Sequence, residues 1–167
     1  MSSDKINIYK NTGNTGANSE ERQLILFELG STLYGINIEN VSEINKLEEI
    51  TPLPKAPQFI EGIINLRGNV VPVIDLRKRF GMKTAERSKK SKIIVLIIGK
   101  RLFGIIVDSV FEVVSLSSDN IEPSLPLASG LKAEFIESIG KYNEKLIIIL
   151  EIENIIKSSE VIKIEDQ

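Results

Sequence analysis

The chain has 167 residues, 42% of them apolar and 26% charged, with a net charge of −2, a balance that suits a folded globular protein and gives no general pull toward nucleic acid or anionic lipid. It has no Cys and no His, which removes disulfides, thiolate nucleophiles, sulfur-ligated metals and the imidazole on which most general-base and zinc sites depend. The longest wholly apolar runs, Ile93–Ile98 and Leu146–Leu150, are far shorter than the roughly 20 residues of a spanning helix, so no membrane insertion is expected.

Residues 1–20, rich in Ser, Asn, Thr and Gly and without a secretory pattern, read as a flexible tail, with order beginning near Gln23. An apolar strand, Leu24–Leu29, leads into the hairpin turn Gly30-Ser31, and the return strand carries Gly35 in its interior, where a glycine marks a bulge or a close backbone approach. A segment ending in Val41-Ser42-Glu43 follows, then a Pro-containing connection with a turn near Gln58–Ile60, and a second hairpin turning at Gly68-Asn69. Asp75 to Gly81 predicts one short helix: an Asp N-cap, then Arg77, Lys78 and Arg79, then a terminating Gly. Those three basic residues read as a solvated helix end, and Lys89, Lys90 and Lys92 as solvated residues in and just after the connection over 81–91.

The pattern then repeats. Leu29–Ile44 shifted by 69 positions lies over Ile98–Val113, with six of sixteen residues identical, among them Gly35 over Gly104 and Glu43 over Glu112. With a shift of 76, Phe59-Ile60-Glu61 lies over Phe135-Ile136-Glu137 and Val70–Leu76 over Leu146–Ile152. In the second copy the closing hairpin turns near Asn143-Glu144, Lys132–Ile136 makes a turn, and Glu153–Ser158 a terminal helix. Residues 157–167 form a polar tail. Four or five short strands per copy, supplied with 28 Ile for bulk, predict an all-β protein of two small antiparallel barrels with short helices. The first barrel is expected over about 23–80 and the second over about 92–152, with a possible strand exchange, inside one domain spanning 21–156.

Catalytic chemistry finds little purchase. An aspartic-protease pair needs two carboxylates on tight Gly-containing turns, but Val107-Asp108-Ser109-Val110 lacks the Gly and the first copy has Glu39 there, so Asp108 reads as a strand-end acid. No phosphate-cradling loop, metal set or cofactor motif occurs, so no catalytic, cofactor or metal residues are assigned. A nucleic-acid-binding or other ligand-binding barrel is the alternative class; it would need a basic groove with stacking aromatics.

The run Ala56 to Leu76, with Asn65-Leu66-Arg67-Gly68 ahead of Pro72-Val73-Ile74-Asp75-Leu76, is similar to the central signature of the CheW family of bacterial chemotaxis adaptors. Tyr34-Gly35-Ile36, Val41-Ser42-Glu43-Ile44 and Gly104–Asp108 fall where that family has its other marked positions, and the likeness runs from Gln23 to about Ile156. The resemblance implies two five-stranded, SH3-like barrels packed around a shared apolar interface. It also implies a cytoplasmic, non-catalytic scaffold that links chemoreceptor cytoplasmic domains to the regulatory domain of a CheA-type histidine kinase, with no nucleic acid among its partners. Carried over by position, it points to Val41, Glu43, Gly62, Arg67, Gly104, Val110 and Val113 as receptor-facing. Arg67 has separate support: the second copy has Asn143 in its place, so the repeated core does not require it, and an arginine beside a tight turn is preorganised to donate several hydrogen bonds. Glu43 and Arg67 are expected to pair. For Val41, Val110 and Val113, burial between the barrels is an equal reading, since apolar residues at strand spacing are usually core.

Overall fold

The structure, a computed structural model, describes residues 20–123 and 131–156; the terminal tails 1–19 and 157–167 lie outside them. The first hairpin is β1 (Glu21–Leu29) and β2 (Thr32–Asn37), turning at Gly30 with φ 60°. A 3₁₀ turn, Ile38–Asn40, leads to β3 (Val41–Lys46), and β4 (Ile60–Leu66) with β5 (Asn69–Asp75) makes the second hairpin. Helix α1 (Leu76–Arg79) follows, its first turn capped by the Asp75 carboxylate, which accepts from the Arg77 amide at 3.0 Å and the Lys78 amide at 3.4 Å. The second copy supplies β6 (Lys92–Ile98), β7 (Arg101–Val107), β8 (Ser109–Ser117), β9 (Ile121–Pro123), β10 (Ile136–Tyr142), β11 (Lys145–Leu150) and α2 (Ile152–Ile156).

Two sheets result, in the orders β8-β1-β2-β11-β10-β9 and β3-β6-β7-β5-β4. Strands β8 and β9 end the first order, yet only Ser118–Asn120 separates them in the chain, so this sheet curls back on itself. The second sheet closes the same way, with the Thr51–Ile63 bridge standing where the first has β9. The contiguous assignment of 23–80 to one barrel and 92–152 to the other does not match this distribution of strands. Hairpin β1–β2 sits among strands of the second copy, and β6–β7 among strands of the first. The cause is local. Asp108 alone separates β7 from β8, and one residue is too few to reverse a chain, so β8 runs on into the other sheet. Asn37 to Val41 makes the equivalent crossing in the first copy.

The duplication holds down to hydrogen-bond register. Gly35 lies opposite Leu26 and Ile149, and Gly104 opposite Val95 and Val73, each pair related by the shifts of 69 and 76. The bulge that skips Ser42 on β3 recurs at Phe111 on β8, and the one at Glu61 on β4 recurs at Glu137 on β10. Alternate residues of each central strand serve two cores. Ile93 and Val95 of β6 fill their own barrel while Ile94 and Leu96 face the shared core; Leu24 and Leu26 of β1 do the same opposite Ile25 and Phe27. This double burial is why these strands read as continuous apolar runs rather than as alternating ones.

The second hairpin turns at Arg67-Gly68, one residue earlier than its sequence suggests, with φ of 52° and 89°. Both signs are positive because a two-residue turn must follow the right-handed strand twist, and the Asn65 side chain accepts from the Gly68 amide at 2.8 Å. Its counterpart, Asn143-Glu144, has φ of 50° and 64°. A glutamate held there is strained, so Glu144→Gly is expected to raise stability by about 0.5–1 kcal/mol in urea unfolding. A lower urea midpoint for the variant would contradict this.

Candidate partner-binding surface

Beside the Arg67-Gly68 turn the structure joins two of the residues singled out from sequence. Glu43 projects from β3 and accepts a forked pair of hydrogen bonds from the Arg67 guanidinium, Nη2 to Oε1 and Nη1 to Oε2, the latter at 3.4 Å. The Asn45 amide donates to Glu43 Oε2 at 2.7 Å, so the carboxylate is held from two sides. The Arg67 side chain remains 63% exposed while that of Glu43 is 10% exposed. Hydrogen bonding to Glu43 raises the arginine's pKa further above its ordinary value. An aimed guanidinium with free N–H groups therefore stands on a covered carboxylate.

The other five residues divide. Val41 is buried in the shared core. Gly62 is buried on β4 directly after the bulge, at φ 150°, where a Cβ would stand 2.1 Å from the Thr51 carbonyl oxygen. Gly104 is buried on β7, where a Cβ would approach Ile93 to 3.0 Å. These three are buried and offer no side chain to a partner. Val110 and Val113 lie on β8, in the other sheet, half-buried against the shared core.

The basic residues of α1 are not a solvated helix end. Arg77 donates to both oxygens of Asp108, at 3.0 and 2.6 Å, and Asp108 also accepts from the Gly30 amide at 2.8 Å. Lys78 pairs with Glu61 at 2.6 Å, and Arg87 reaches Glu61 at 2.8 Å and Asp75 at 3.2 Å. Arg79 donates to the Ile155 carbonyl at 2.9 Å with its guanidinium 4.5 Å from the Phe59 ring and 5.0 Å from the Phe135 ring. Phe59 and Phe135 are repeat equivalents, so one arginine fills the gap between the two copies. The available signal was a break in the repeat: Arg77 and Arg79 face Glu153 and Ile155 under the 76-residue shift, so neither belongs to the common barrel pattern.

The Arg77 hydrogen bonds hold the Asp108 carboxyl below the usual carboxylate range, aided by the Gly30 amide. A depressed folded-state pKa contributes stability above the unfolded value and loses it as pH falls through the folded one. Between about pH 4 and 2, wild-type urea midpoints should therefore fall more steeply than those of Asp108→Asn. Parallel profiles would show that the pair contributes nothing to acid stability.

Among the described residues no group of three or more acidic, His or Cys side chains could hold a metal ion, and no helix is long and apolar enough to cross a membrane. Two interlocked β-barrels that present an aimed arginine define a binding module. A model of the CheW-like domain matches residues 23–160. The chemotaxis protein CheW of Klebsiella aerogenes is 35% identical over 145 residues, 87% of each chain. That of Treponema pallidum is 33% identical over 151 residues, 88% of this chain and 89% of its own. The crystal structure of the scaffolding protein TtCheW from Thermoanaerobacter tengcongensis superposes with a TM-score of 0.79 at 40% identity, covering 84% of this chain and 96% of that one. The chain belongs to the CheW family, and its role is that of a chemotaxis scaffold.

Proposed function

We propose that the protein couples chemoreceptor cytoplasmic tips to the regulatory domain of a CheA-type histidine kinase, in the cytoplasm and without catalysing a reaction. It reaches the membrane only through the receptors. The observation that carries the receptor-binding part is the exposed Arg67, held on Glu43 beside a tight turn. An arginine so oriented loses little conformational freedom on docking and can donate to carbonyls or carboxylates of a partner helix. Val110 and Val113 supply apolar contact, while Val41, Gly62 and Gly104 set the backbone beneath. The described residues do not favour the nucleic-acid alternative. The basic side chains of α1 are engaged within the chain, and Phe27, Tyr34, Phe80 and Phe135 stack on one another inside the shared core rather than lining a groove.

Titration of a receptor cytoplasmic fragment tests the site. The swap Glu43→Arg with Arg67→Glu keeps an ion pair and reverses its polarity. If the arginine touches the receptor, the swap stays weak like Arg67→Ala. Wild-type affinity in the swap would leave the pair a purely structural role.

A further inference from the structure

The chain crosses between its two sheets twice, at positions related by the repeat, and the crossings are built differently. At Val107–Ser109 the crossing is the single residue Asp108. Its amide donates to the Glu28 carbonyl at 3.1 Å, and its carboxylate accepts from Gly30 in one sheet's hairpin and from Arg77 on the helix that follows the other sheet. One side chain thus fastens both sheets at one point. The Arg77 guanidinium also reaches the Lys83 carbonyl at 2.8 Å, which ties down the 81–91 connection.

At Asn37–Val41 the equivalents of Asp108 and Arg77 are Glu39 and Glu153. Both are exposed, and neither makes an ion pair among the described residues. The crossing is a short 3₁₀ turn with no side-chain cap, and the position that would hold the clamping cation carries a second negative charge. Two carboxylates at these positions cannot form the clamp. The molecule therefore has one crossing fastened by an ion pair and one that, among the described residues, has no ion pair and is held by the burial of Ile38 and Val41 in the shared core; β3, which carries Glu43, begins at the latter.

We infer that the two barrels move against each other as a hinge whose pivot is the Asp108 crossing and whose compliant side is the Glu39 crossing. Interfaces repack between discrete arrangements, so compliance confined to one side makes the motion a rotation about the other. The surface bearing Glu43 then lies on the moving side. That last consequence rests on the receptor-binding reading above; the hinge is a property of the free chain and does not.

The chain has no Cys, so spin labels can be placed at will. Ser31→Cys with Lys83→Cys spans the fastened crossing, and Lys100→Cys with Asn154→Cys spans the other; all four positions are exposed. Pulsed dipolar distances should give a distribution about twice as wide across the Glu39 crossing as across the Asp108 crossing. In the same labelled backgrounds, Asp108→Asn should widen the fastened side, and Glu153→Arg, which rebuilds the clamp against Glu39, should narrow the other. Circular dichroism of each variant confirms folding, and Arg77→Gln gives a second way to open the clamp should Asp108→Asn fail. Equal widths in the parent chain, or widths that none of the folded variants changes, would overturn the hinge while leaving the Arg67 assignment untouched. Loss of the Arg67 assignment would equally leave the hinge standing.

Discussion

Divided at the 81–91 connection, the chain is expected to give two pieces that are each unfolded alone at low concentration and fold together when mixed. A piece covering 20–85 keeps β1 to β5 but loses β6 and β7, which stand between β3 and β5 in the second sheet. Among the described strands β3 pairs with β6 and with no other, so it is left bare. What remains is two separate hairpins, and an isolated hairpin is marginal in water at best. The piece covering 86–156 keeps the hairpin β6–β7 and the three strands β9, β10 and β11 as separate units and leaves β8 bare, because among the described strands β8 pairs only with β1. Each central strand also loses one of the two cores its alternating faces serve. Circular dichroism and urea unfolding report this directly: featureless spectra apart, a β spectrum and a cooperative transition together. A cooperative transition in either piece alone, at a concentration where it is monomeric, would contradict the exchanged arrangement.

Arg67→Ala is expected to weaken receptor-fragment binding roughly thirty-fold or more, as truncation of an interface-anchoring arginine does. The same change should move the melting temperature by less than about 2 °C, because a pair whose cation is solvated contributes little to folding. The two expectations pull apart the two roles of the residue. Kinase-domain affinity should stay at its wild-type value if the two partners use distinct surfaces. Unchanged receptor affinity, measured by calorimetry on the folded variant, would return Arg67 to a solvated turn position.

The sequence made some of this legible and hid the rest for physical reasons. The strands and the Asp75 cap could be read because they depend on local spacing and on a repeat whose copies share a register, and the Glu43–Arg67 pair because closing a barrel brings the segment after the first hairpin to the turn of the second. The hairpin exchange could not. Hairpins β1–β2 and β6–β7 carry the same pattern, so either could sit in either barrel with its apolar faces satisfied, and only the one-residue crossing at Asp108 decides. The turn at Arg67-Gly68 was misplaced by one because Gly68 takes positive φ in either register, while the strand pairing of Leu66 with Asn69 fixes which is used. The basic run of α1 was misread as solvent-facing because its partners, Asp108, Glu61 and the Ile155 carbonyl, are 31, 17 and 76 positions away. Charge spacing along a chain says nothing of partners that only folding brings near.

The most direct test of the scaffold role is an assembly measurement with three purified components: this protein, a receptor cytoplasmic fragment, and the regulatory domain of a CheA-type kinase. Analytical ultracentrifugation should show each of the two partners binding the protein. All three should sediment as one species, and the receptor-bearing part of that species should disappear with Arg67→Ala. Partners that compete for the protein instead of binding together, or that assemble equally well without it, would contradict the account.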